Sequence, residues 1–160
     1  MITGIQHISF TVSNLEEALR FFRDLLGLPS TPVREVTGER VEKIIGFPGV
    51  KLLISNVLTP DNGNIELIEY VAPKGERVDL RTCNTGVAHL GLVVADIQKF
   101  YDDLRAKGVQ FNHEPLLSEG GALKGWGICY FKGPDGITLE AMEPPKGVEV
   151  HAATGFPVEE

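Results

Sequence analysis

Cysteine is scarce in this chain. Cys83 and Cys129 are its only two, and no CxxC spacing joins them. That excludes a disulfide framework and a cysteine-built structural zinc site, and two free thiols fit a reducing cytoplasm. Long apolar runs are absent as well, and no segment approaches the ~20 residues of a membrane span. Met1-Ile2-Thr3-Gly4 has neither a basic flank nor an apolar signal core, so no secretory signal is expected. Basic charge is also short. Fifteen Lys and Arg stand against 22 Asp and Glu, a net charge of −7, and no basic patch stands out. A nucleic-acid partner is therefore not expected. What remains is an ordinary cytoplasmic globular composition, long enough at 160 residues for one good core or two small modules.

The chain repeats itself. Gly4-Ile5-Gln6-His7-Ile8-Ser9-Phe10-Thr11-Val12 returns 82 positions later as Gly86-Val87-Ala88-His89-Leu90-Gly91-Leu92-Val93-Val94. A His holds the same place in both copies, and an Asx residue and an amphipathic run follow each. Such self-similarity points to two similar halves.

Each half reads as β-α-β-β-β. Residues Ile5 to Val12 alternate with period two, as in a half-buried strand. Ser13 and Glu16 suggest a capping box. Leu15, Ala18, Leu19, Phe22 and Leu26 recur at helical spacing up to Gly27. Val33 to Val36 reads as a strand, Glu39 to Ile45 as a helical turn, and Val50 to Leu58 and Asn64 to Val71 as a hairpin about Thr59-Pro60-Asp61-Asn62-Gly63. In the second half the strands are Val87 to Val94, Val109 to Phe111, Trp126 to Phe131 and Ile137 to Met142. A helix through Ile97, Phe100, Tyr101 and Leu104 follows the first of them. The division is a first module 1–71, a linker 72–85, a second module 86–143 and a tail 144–160.

Face by face, the strands separate apolar from polar side chains. His7, Glu66, His89 and Glu140 all fall opposite the faces that the helices would cover. A lone His on a strand is ordinarily a hydrogen-bonded packing residue, and a lone Glu is ordinarily solvated. Repetition of the pair in both halves favours a shared site, which a concave sheet would gather. Two imidazoles and two carboxylates suit a divalent ion such as Zn, Ni, Co, Mn or Fe.

Five stretches together resemble the vicinal oxygen chelate superfamily, the group of glyoxalase I, methylmalonyl-CoA epimerase, extradiol dioxygenases and the fosfomycin and bleomycin resistance proteins. They are His7 to Val12; Phe21-Phe22-Arg23-Asp24-Leu25-Leu26-Gly27-Leu28; Asn64-Ile65-Glu66-Leu67-Ile68-Glu69; Gly86-Val87-Ala88-His89-Leu90; and Gly133-Pro134-Asp135-Gly136-Ile137-Thr138-Leu139-Glu140. The resemblance implies an α+β fold of two tandem βαβββ modules forming a U-shaped mixed sheet around a metal. It implies His7, Glu66, His89 and Glu140 as ligands of one divalent ion (Ni, Co, Zn, Mn or Fe). It also implies a homodimer acting on a small molecule with vicinal oxygens.

The chemistry so implied is that of a lyase or isomerase of the glyoxalase I or epimerase type. A proton leaves the carbon beside a carbonyl through a metal-stabilised enediolate, and Glu140 or Glu66 serves as base. Ser9, Thr11, Tyr70 and Thr138 share the pocket face, and Lys124 and Trp126 lie near it, as substrate-binding candidates. Arg34, Arg40 and Lys51 read as solvated by default. Two alternatives are an Fe(II) extradiol dioxygenase, against which Glu66 weighs as a fourth anionic ligand, and a metal-free resistance-type binding protein.

Overall fold

The computed structural model describes residues 1–148, so His151 and most of the tail 144–160 lie outside the described residues. The chain divides into two compact units, Met1–Val78 and the part from Asp79 onward. In the first unit the elements are β1 (Ile8–Thr11), α1 (Leu15–Leu19), β2 (Arg34–Thr37), α2 (Glu39–Ile45), β3 (Lys51–Leu58) and β4 (Asn64–Ala72). The second holds β5 (Leu90–Val93), α3 (Ile97–Ala106), β6 (Leu116–Leu117), β7 (Gly127–Lys132) and β8 (Thr138–Glu143). Each forms a four-stranded mixed sheet, in the orders β1-β4-β3-β2 and β5-β8-β7-β6. The fold is α+β, as expected from two βαβββ modules. Among the described residues no helix is long and apolar enough to cross a membrane.

Pattern explains the packing. Leu15, Ala18, Leu19 and Phe22 follow the i, i+3, i+4, i+7 rule, and all are buried where α1 lies against β3 and β4. Val12, Val57, Ile65 and Leu67 share that core. In the second unit Ile97, Tyr101 and Leu104 bury the inner stripe of α3, with Cys129, Phe131, Leu139 and Ala141 buried on the strands. The helix α1 runs on as a wider π-helical turn, Arg20–Leu25, in which Leu26 N donates to Phe21 O at 3.0 Å. Gly27, at φ 74°, turns the chain out of it.

The helix starts are duplicated too, and here the sequence reading needs correction. The cap of α1 is Asn14, not Ser13: its Oδ1 accepts from Glu17 N at 3.0 Å. In α3, Asp96 Oδ1 accepts from Lys99 N at 2.8 Å. A carboxylate from the last strand of each sheet completes the cap. Glu69 Oε2 accepts from Leu15 N at 2.8 Å, and Glu143 Oε2 accepts from Ile97 N at 2.9 Å. Each brings negative charge to the positive end of the helix dipole. We expect Asn14→Ala and Asp96→Ala each to cost about 1 kcal/mol in urea denaturation, with little effect of one on the other.

Other boundaries move. The segment Val109 to Phe111 contributes only a bridge, Phe111 to Phe131, and the outer strand of the second sheet is the later two-residue β6. The turn at 39–45 is a seven-residue helix, α2, and lies over part of the face expected to stay open. Its Val41 and Ile45, with Val36, Ile68 and Tyr70, cover Val50, Leu52 and Ile54.

Cys129 is buried in the core of the second unit, while Cys83 is exposed. Burial, aided by the Glu140 charge, pushes the Cys129 thiol up to about 11 from 9.0. Below about pH 9 the thiol is protonated folded or unfolded. Between 9 and 11 only the unfolded chain ionises, so stability should fall by up to roughly 1.4 kcal/mol per pH unit. A disulfide reagent at pH 8 should label Cys83 at once and Cys129 only on unfolding. Cys129→Ala should flatten the alkaline fall in stability.

Candidate functional site

Both candidate histidines sit one residue before the first strand of their sheet, and both candidate glutamates lie on the strand that pairs with it in parallel. That topology makes each pair local to its own unit. In β1, Ser9 stands opposite Glu66, and in β5, Gly91 stands opposite Glu140. His7 Nε2 lies 3.5 Å from Glu66 Oε2. His89 Nε2 lies 3.2 Å from Glu140 Oε2. In both pairs the imidazole is about two-fifths exposed (39% and 42%) and the carboxylate mostly covered (14% and 11%).

The donor chemistry fits a divalent cation. Two ligands each about 2.0–2.2 Å from one ion stand roughly 3.0–3.5 Å apart at octahedral to tetrahedral angles. The separations of both pairs fall in that range. His7 Nδ1 is paired with the Gln6 side-chain oxygen, which leaves Nε2 turned toward Glu66. Among the described residues no group of three or more His, Cys, Asp or Glu side chains is placed to hold a metal ion; each unit brings together one His and one Glu.

Two further residues flank the glutamates. Hairpin register puts Tyr130 opposite Glu140 and Asn56 opposite Glu66. The Tyr130 hydroxyl lies 3.5 Å from His89 Nε2, and the two rings are 5.4 Å apart. Burial first, then the Glu140 charge, holds the phenol above its ordinary range, so it stays a protonated donor at neutral pH. Arg34 is not merely solvated. Its Nη2 donates to Glu66 Oε1 at 3.2 Å and its Nη1 to Asn56 Oδ1 at 2.8 Å. Sequence reasoning missed Tyr130 and Asn56, although each lies ten residues before its glutamate, symmetric about a clear hairpin turn.

The remaining candidates scatter. Ser9 and Thr11 are exposed on the face of Glu66. Tyr70 is four residues farther along β4, about 13 Å, and packs edge-on against Phe47 at 6.2 Å. Thr138 is buried, and its Oγ1 accepts from Lys132 Nζ at 2.8 Å. Trp126 is 2% exposed just before β7. Lys124 is exposed at the end of the Gly121–Leu123 turn. Lys51 pairs with Glu35 at 2.8 Å.

Known proteins share this arrangement of elements. A 2-epi-5-epi-valiolone epimerase of an Actinomyces species is 29% identical over 155 residues, 94% of this chain and 85% of that protein. A lactoylglutathione lyase of Arabidopsis thaliana is 26% identical over 140 residues, 86% of this chain; the chain spans less than half of that enzyme, 43%. The crystal structure of a glyoxalase family protein from Bacillus cereus superposes with a TM-score of 0.75 at 23% identity, covering 91% of this chain and 96% of that one. The family model of the Glyoxalase/Bleomycin resistance protein/Dioxygenase superfamily matches residues 4–141. With both repeats inside that match, the chain belongs to the Glyoxalase/Bleomycin resistance protein/Dioxygenase superfamily.

Proposed function

We infer that the chain is a divalent-metal-dependent enzyme that moves a proton at a carbon beside a carbonyl. Of the lyase, isomerase and epimerase forms of that chemistry, epimerisation is favoured. The epimerase relative is matched along 85% of its length, the plant lyase along 43%. The observation that carries the reading is the duplicated His–Glu pair, spaced alike in both modules. His7, Glu66, His89 and Glu140 would together hold one ion of Ni, Co, Zn, Mn or Fe. When bound, such an ion polarises a carbonyl oxygen and makes the neighbouring C–H more acidic. A cytoplasmic homodimer is part of the same proposal.

The chain's own groups do the rest. Glu140, mostly buried, takes the proton from carbon as a carboxylate loosened from the ion, since a bound cation would lower its basicity, and Glu66 is the alternative base. The Tyr130 hydroxyl donates a hydrogen bond to a substrate oxygen beside Glu140. Ser9 and Thr11 line the entrance to Glu66. The substrate class is a small cyclic ketone with oxygens on adjacent carbons.

The test is solvent exchange. Metal-supplied protein in D2O is incubated with a polyhydroxylated cyclic ketone and, separately, with the methylglyoxal–glutathione hemithioacetal. Deuterium entering one α-carbon of the cyclic ketone, followed by NMR, supports epimerisation. Reaction of the hemithioacetal alone moves the assignment to the lyase. Exchange with neither, together with oxygen uptake on a catechol, contradicts the reading.

A further inference from the structure

The repeat diverges beside the glutamates. Asn56 occupies the register position that Tyr130 holds in the other module, and Arg34 reaches Glu66 from the edge strand β2. The Asn56 amide is fixed at both ends: its Oδ1 accepts from Arg34 Nη1 at 2.8 Å, and its Nδ2 donates to Asn64 Oδ1 at 2.9 Å. Its backbone is fixed as well, N to Thr31 Oγ1 at 3.0 Å and O from Thr31 N at 2.9 Å. The guanidinium, half exposed, is thereby held in one orientation, and N–H donors beyond the two engaged here are left for a ligand.

Charge decides which ligand suits this cluster. Glu66 already neutralises the guanidinium, so an anion would have to displace a carboxylate from it. A hydroxyl meets no such competition, because it accepts from an N–H and donates to a carboxylate or amide oxygen at once. One guanidinium, two amides and one carboxylate side by side offer alternating donors and acceptors on planar groups. Adjacent hydroxyls on a ring complement that row, whereas an apolar substituent would leave it unpaired.

We propose that Arg34, Asn56 and Asn64 form a subsite for the vicinal hydroxyls of a neutral polyhydroxylated substrate, with Arg34 as its specificity-determining residue. The proposal deepens the functional reading above and takes from it that the substrate lies beside Glu66.

The test uses wild-type protein, Arg34→Met and Arg34→Lys, with myo-inositol as an unreactive probe and cyclohexanol and inorganic phosphate as controls. NMR of the Arg34 Nε–H and the Asn56 and Asn64 side-chain amides follows the titrations. Circular dichroism and metal content are measured on each variant. Inositol should shift those three groups in the wild type, and Arg34→Met should weaken its binding on the order of tenfold. Arg34→Lys should fail to restore it, since a lysine keeps the charge but not the fork. Cyclohexanol binding and metal content should not change. The proposal is overturned if wild-type protein ignores inositol or if Arg34→Met binds it equally well. It is also overturned if phosphate displaces inositol and Arg34→Lys binds like wild type, which would mark an anion subsite. A wild type without metal would count against the functional reading alone, because the inositol titration needs neither metal nor turnover.

Discussion

Glu140→Gln should lower α-proton exchange by about a thousandfold, the middle of the range that a positioned acid or base contributes. The substitution keeps size and shape, so the buried position on β8 stays filled. What it removes is the negative charge that faces His89 at 3.2 Å, and with it the capacity to accept a proton. Glu66→Gln is the informative partner. Both glutamates pair with a histidine, but Glu66 also receives Arg34 at 3.2 Å, whereas Glu140 has Tyr130 across the hairpin. If Glu140 carries the proton, Glu66→Gln lowers exchange less than Glu140→Gln when both variants are compared at equal metal occupancy. A Glu140→Gln protein retaining a tenth or more of wild-type exchange would remove Glu140 from the mechanism.

Phe131→Ala should cost about 3–5 kcal/mol of stability. Phe131 is fully buried, with the rings of Phe100 and Phe111 each 5.4 Å away, and Tyr101 packs edge-on against Phe111 at 4.8 Å. Against a domain stability of 5–15 kcal/mol, the loss is large. Phe131→Leu should cost markedly less, since most of the volume is kept. Urea denaturation of the three proteins measures both values. A loss under 1 kcal/mol for Phe131→Ala would mean that this cluster does not hold the second sheet together. Tyr130 is the preceding residue on β7 and faces the site, so a loosened Phe131 should also weaken its hold on His89.

That His7, Glu66, His89 and Glu140 lie on the faces opposite the helices was legible before any coordinates because period-two alternation is a local property. It assigns each side chain to a face without reference to distant chain. The parallel pairing of β1 with β4 and of β5 with β8, which sets each His beside its Glu, was not part of that reading, because element order alone does not choose strand neighbours. Arg34 was not legible in the same way. Its contact depends on how an edge strand meets β3, which the turn chemistry of Pro29 and Pro32 does not specify. The α2 cover of Leu52 and Ile54 was hidden because seven residues are too few for periodicity to separate a helix from a turn. The first cap was misplaced by one residue because Ser13 and Asn14 are both good caps and only the geometry chooses between them. Tyr130 and Asn56 were within reach. Counting outward from each hairpin turn places them opposite the two glutamates.

The central claim is that the duplicated pairs serve one metal ion, and the most direct measurement is metal content by elemental analysis. Wild type, His7→Ala and His89→Ala would be purified without added metal or chelator and then titrated with Ni, Co, Zn, Mn and Fe(II) salts. The account predicts about one ion per chain in the wild type and loss of most of it in either variant, because each removes a donor from the same shell. Two ions per wild-type chain, with each variant losing one independently, would contradict a shared site. So would a wild type that binds none of the five.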